Sequence, residues 1–168
     1  MKRWYGVTVL VAVLAALTLS GPAQAMAGPE TAGQPVPFKG RSSGVVTVVG
    51  VDPVAGIIST HVEGKGQATQ LGRFTVTADV DIDEATGNAQ GTWTLTAANG
   101  DLLFVTMAGR GIDPTHGLGT FTVVGGTGRF QGAAGAYEQL ITFAATPGTT
   151  DIVPYTDMLE GTISTGRQ

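Results

Sequence analysis

The chain has 168 residues, with 26 glycines, no cysteine, 42% hydrophobic residues and 13% charged ones. Thirteen acidic residues against nine basic ones give a net charge of −4. Without cysteine there is no disulfide scaffold, cysteine-based zinc site or thiol nucleophile. The few, scattered basic residues argue against a nucleic-acid binder that neutralises phosphates. The apolar content suits one folded domain rather than disorder.

The first 25 residues read as an export signal. Lys2 and Arg3 precede an apolar stretch from Val7 to Leu19, which has the length of a signal-peptide core and is short for a membrane span. Gly21 and Pro22 break it, and Ala23-Gln24-Ala25 supplies a small-residue cleavage site. We expect cleavage after Ala25 rather than an uncleaved anchor. The product is then secreted or periplasmic, with no stable membrane insertion after cleavage. Residues 26–37 contain Gly28, Pro29, Gly33, Pro35 and Pro37 and read as a flexible leader. Residues 38–168 form the expected single domain.

That domain reads as strand and turn. Arg41 to Val51 and Ile57 to Thr69 are the first two runs, separated by the turn signal Asp52-Pro53. From Phe74 to Ile82 the alternation is strict: Phe74, Val76, Ala78, Val80 and Ile82 share one face, and Thr75, Thr77, Asp79 and Asp81 the other. A period of two marks a sheet buried on one side. Thr92 to Ala97 repeats the pattern, and Asn99-Gly100 then predicts a two-residue hairpin into Leu102 to Met107. Leu118 to Val124, Ala136 to Ala144 and Met158 to Ser164 complete about eight strands. An eight-stranded antiparallel up-and-down barrel, calycin-like in type, accommodates them without leaving edges; an open sandwich is the alternative. Glycines inside the runs (Gly64, Gly66, Gly109, Gly111) fit the coiling and bulges of a small barrel.

The stretch Val123-Val124-Gly125-Gly126-Thr127-Gly128-Arg129-Phe130-Gln131-Gly132-Ala133-Ala134-Gly135 resembles a glycine-rich segment of dirigent proteins and allene oxide cyclases. Weaker similarity lies in Gly64 to Gly72, Ala97 to Asp101 and Gly161 to Ser164. The resemblance implies an eight-stranded barrel whose lumen holds a small, largely apolar molecule, a cofactor-free cyclisation or radical-coupling chemistry, and a homotrimer. Ala134 stands where many dirigents carry an arginine, and the cavity cysteine of the plant cyclases has no counterpart. In physical terms Gly125, Gly126 and Gly128 permit a tight connection after Val124. Phe130 can then plug one end of the barrel while Arg129 stays wet. The segment lacks the Lys-Ser/Thr of a phosphate-binding loop.

Candidate site residues follow from strand parity. Tyr137 and Glu138 are neighbours on one strand, so one points inward; an inward Glu138 would have a raised pKa and serve as acid or base, and an inward Tyr137 would hydrogen-bond a ligand. Glu63 and Asp101 are the other catalytic candidates. Trp93, in a Gly91-Thr92-Trp93 motif like that of lipocalins and avidins, joins Phe104 and Tyr137 as ligand-binding candidates. Asp79, Asp81 and Asp83 lack the glycine and terminal glutamate of a calcium loop, and His61 and His116 have no metal-ligand spacing, so neither a metal nor a cofactor is expected. A lumenal carrier of a small apolar molecule is the first functional expectation. A cofactor-free cyclase or isomerase is the second, and a solidly filled structural barrel of the cell envelope the third.

Overall fold

A computed structural model describes residues 33–145 and 151–165; the expected signal peptide and most of the expected leader lie outside them. Eight strands follow one another: β1 Val36–Asp52, β2 Ile57–Ala68, β3 Gly72–Asp83, β4 Asn88–Ala97, β5 Leu102–Asp113, β6 His116–Gly126, β7 Ala134–Phe143 and β8 Ile152–Ser164. Each pairs antiparallel with its sequence neighbours, and β8 returns to pair with β1 over Val36–Thr47. The sheet is therefore a closed barrel with no free edge, and the sandwich alternative falls away.

Residues of alternate parity face inward. On β3, Phe74, Val76, Ala78 and Val80 are buried while Thr75, Thr77, Asp79 and Asp81 are exposed. The inward run of β2 is thinned by glycine because aromatic side chains from β3 and β8 occupy that space. A Cβ on Gly64 would stand 2.4 Å from the Tyr155 hydroxyl, and one on Gly66 would stand 2.5 Å from the Phe74 ring. Glycine here makes room for packing.

Some boundaries differ from the sequence expectation for identifiable reasons. β5 runs through Gly109 and Gly111, since glycine inside a coiled strand need not end it. β8 starts six residues before Met158; Pro154, a strand breaker by its chemistry, occupies an exposed position within it. The β4–β5 hairpin has a four-residue connection, residues 98–101, and only Gly100 has a positive φ, of 88°. Gly100 N–H donates to the Ala97 carbonyl and Ala97 N–H to the Asp101 carbonyl, which closes the wider turn without requiring Asn99 to be left-handed.

The two ends of the barrel are finished differently. At one end the β6–β7 connection turns inward through a single 3-10 turn, Gly128–Phe130, and delivers Phe130, which is completely buried. Leu71, from the β2–β3 turn, is buried beside the same end. Arg129 stays half-exposed and donates from a terminal guanidinium N–H to the Leu71 carbonyl at 2.9 Å. At the opposite end the described hairpins are tight turns headed by Asp52, Asp83 and Asp113. The side chain of each accepts backbone N–H groups two or three residues ahead, as short polar side chains do in turns.

Candidate functional site

The open end contains a cavity of about 210 Å³. Val46, Val62, Val80, Ile82, Met107 and Phe143 give it an apolar wall, and Trp93 and Tyr155 also line it. Arg110, Asp113 and His116 lie at its rim. The volume lies between the roughly 150 Å³ that admits benzene and the roughly 300–1,000 Å³ of pockets for larger ligands. It suits a molecule of one or two rings. A second concavity of about 680 Å³ is lined by outward Arg41, Lys65, Arg73, Leu140 and Met158 and reaches the buried Ser42 and Asp157. It is wide, charged and open to solvent.

Further from the mouth the lumen is filled by stacked aromatic rings. Trp93 meets Phe121 edge-on, Phe121 stacks on Tyr137, and Tyr137 packs against Phe38, each pair with ring centroids 5.1 Å apart. Trp93 thus belongs both to this aromatic layer and to the cavity lining. Its indole Nε1 is buried without a hydrogen-bond partner, as is the hydroxyl of Tyr155. An unpaired buried polar group costs about 1–3 kcal/mol, so two around one cavity need a reason.

Next to Tyr155 along the inward face of β8 lies Asp157, a buried carboxylate. The Ser42 backbone N–H donates to its Oδ1 at 2.7 Å, the Ser42 hydroxyl to its Oδ2 at 2.6 Å, and Gln139 Nε2 also donates to Oδ2. Burial holds the Asp157 carboxyl above its ordinary range, against the opposing effect of these hydrogen bonds. Burial likewise pushes the Tyr155 phenol up to about 12. The Ser42 hydroxyl is close enough to moderate that rise but does not make hydrogen-bond geometry with Tyr155, and the Asp157 charge adds to it. Tyr155 is therefore a neutral phenol at ordinary pH. Tyr137 is raised too, by burial first and then by Asp157. At the rim the sign reverses: a hydrogen bond from His116, with further help from the Thr115 N–H, lowers Asp113 to about 2.

The structure separates the residues that sequence reasoning grouped. Trp93 lines the cavity, and Tyr137 faces inward within the aromatic layer behind it. Glu138 faces outward, because its neighbour Tyr137 takes the inward position and strand faces alternate. Glu63 is outside for the same reason, between the inward positions Val62 and Gly64. Phe104, 37% exposed, lies on the outer face between the buried Leu103 and Val105. Asp101 sits at the closed end, where it accepts the Arg129 backbone N–H and lies 3.7 Å from its side-chain Nε. It clasps the glycine-rich connection, away from the cavity.

Asp157, Ser42, Gln139 and Tyr155 were not singled out by sequence reasoning. The expected last strand began at Met158, leaving Tyr155 and Asp157 in a loop. Extending that strand backwards through Pro154 would have put Asp157 on the same face as Leu159 and Ile163, an acid among core positions.

No protein-family model matches the chain, and no curated protein matches it. Solved structures do. The chain is similar to the pterocarpan synthase dirigent protein PsPTS1, with a TM-score of 0.60, 11% identity, and coverage of 82% of this chain and 99% of that one. It is also similar to the pterocarpan synthase dirigent protein GePTS1, with a TM-score of 0.56, 11% identity, and coverage of 80% and 87%. The chain has a dirigent-like barrel fold.

Proposed function

We propose that this protein is an exported barrel that binds a small, largely apolar molecule in the cavity at its open end. The observation that carries the reading is the asymmetry of the lumen: one end is sealed by Phe130, and the other holds an apolar cavity of about 210 Å³ with a rim of polar groups. Ligand sites are typically concave and apolar with a few placed polar groups. The dirigent-like fold supports the reading, and export rests on the Lys2–Ala25 segment.

A second reading, a cofactor-free cyclase or isomerase, is favoured by the Asp157 cluster. Tyr155 would meet the substrate as a neutral phenol that donates a hydrogen bond, and Asp157 behind it would act through position and charge rather than by contact. The shaped wall would fix the reactant's conformation, which is itself a large part of such catalysis.

Native mass spectrometry of the protein from its host's exported fraction tests these readings. We expect a chain beginning at Met26 with a reproducible small mass that is released on denaturation. Comparison of that molecule with its precursors separates carrier from cyclase. A bare chain that also fails to take up an apolar fluorescent probe would overturn lumenal binding, and a retained residue 1 would overturn cleavage.

A further inference from the structure

We propose that the molecule held in the open-end cavity carries a hydrogen-bond acceptor, a carbonyl or ether oxygen, which takes the indole N–H of Trp93, with the Tyr155 hydroxyl as a second anchor. The inference rests on the lumenal-binding reading and goes one step beyond it, from an apolar occupant to an oxygen-bearing one.

Trp93 is 5% exposed and lines the cavity, yet its Nε1 has no partner in the protein. An indole N–H donates and cannot accept, so only an acceptor can satisfy it. No side chain of the wall bonds it, and Val46, Val62, Val80, Ile82 and Met107 are apolar. The Thr60 hydroxyl, which also lines the cavity, donates to the Val80 carbonyl at 3.0 Å, and its oxygen does not accept the Trp93 N–H. Asp113, at the rim, is engaged by His116 and Thr115. Phenylalanine would give an aromatic wall without leaving a donor unpaired, and tryptophan places one there. Tyr155, 3% exposed, adds a hydroxyl in the same condition on the same cavity. Two unpaired groups in an otherwise apolar wall favour a ring or chain that bears an oxygen over a hydrocarbon. A cationic amine, which brings only donors, does not fit Trp93.

The test compares two probes of nearly equal shape, 1-tetralone and the hydrocarbon in which a methylene group replaces its carbonyl oxygen. Calorimetry on the purified protein gives their affinities. The indole N–H signal of Trp93, the one tryptophan that remains after cleavage behind Ala25, is followed by nitrogen-15 NMR and assigned by its loss in Trp93→Phe. We expect the ketone to bind at least about tenfold more tightly, to move the Trp93 signal downfield, and to lose most of that preference in Trp93→Phe. Equal binding of both probes with an unmoved signal would overturn the acceptor inference and leave apolar binding standing; a resident water would then be serving the two groups. Failure of both probes at millimolar concentration would overturn the lumenal reading and this inference with it. The comparison of the two probes on the unmodified protein decides even if Trp93→Phe does not fold, and Tyr155→Phe then serves as the second variant, with a smaller loss of the ketone preference.

Discussion

The two ends of the barrel are made from the same eight strands and differ in what their described connections do. At the closed end the β6–β7 connection has residues to spare, and it uses them to send Phe130 inward over the lumen, with Asp101 and Thr127 holding its frame. Asp101 accepts the Arg129 N–H, and the Thr127 hydroxyl accepts the Leu102 N–H at 2.9 Å. At the open end Asp52, Asp83 and Asp113 turn the chain within a few residues by accepting their own neighbours' N–H groups. Such turns place no large side chain in the lumen, so the space between the strands stays available. Among the described residues, the cavity at the open end goes with short turns, and the other end is plugged by one inserted ring.

The same substitution at both ends gives the largest contrast. Phe130→Ala removes a fully buried ring and should cost about 3–5 kcal/mol in urea unfolding, the usual range for a core phenylalanine. Phe143→Ala, a half-buried residue beside the cavity, should cost clearly less, because its ring already lacks neighbours on the cavity side. Equal costs would mean that the open end is as tightly packed as the closed one and that the lumen is not asymmetric.

Gly64→Ala probes the boundary between the cavity and the filled interior. The added methyl would press on the Tyr155 hydroxyl and lie 2.8 Å from the Ser43 carbonyl oxygen. Overpacking of this kind costs about 1–3 kcal/mol, and we expect weaker uptake of an apolar probe because Tyr155 must shift. Unchanged uptake would show that Tyr155 does not shape the site.

Much of this arrangement was legible in the sequence where local chemistry dominates. Strict alternation from Phe74 to Ile82 marks one buried face whatever the topology, and the glycines around Phe130 mark an irregular connection that can carry a plug. The candidate site was less legible. Glu138 and Glu63 are acids in strands, but which parity faces the lumen is decided by pairing across the barrel. Tyr137 and Glu138 look equivalent until register with Phe121 and Thr120 on β6 orients them. Asp157 was hidden by Pro154, whose usual meaning as a strand breaker is set aside by its exposed position. The acids that local pattern marks most plainly, those of the turns, are structural.

Two acids, one in the interior and one at the open rim, have opposite shifts. The fold raises Asp157 above its ordinary value of 3.8, so it favours the protonated carboxyl. Its contribution to stability is fully present below that value and is lost as pH rises through the higher folded-state value. Asp157→Asn cannot ionise, and thermal unfolding from pH 4 upward should lack this decline. Any constant offset between variant and parent reflects altered hydrogen bonds from Ser42 and Gln139. A parallel pH dependence in both proteins would show that burial does not govern Asp157.

Asp113, at the open rim, should give the smallest effect and the reverse sign. Its carboxyl is lowered to about 2 by His116 and the Thr115 N–H, so its contribution is present above 3.8 and is lost as pH falls from there towards 2. The side chain is exposed, and solvent screening keeps that contribution modest. The measurement is therefore a slope: the thermal midpoint of Asp113→Asn should fall less steeply than the parent's below pH 4 and run nearly parallel to it above. Asp52 and Asp83 are lowered by their own turn N–H groups, so the residual slope in Asp113→Asn belongs partly to them, and substituting all three should flatten it further. If the slope did not change, the open end would not depend on its aspartate-headed turns, and the contrast with the plugged end would rest on Phe130 alone.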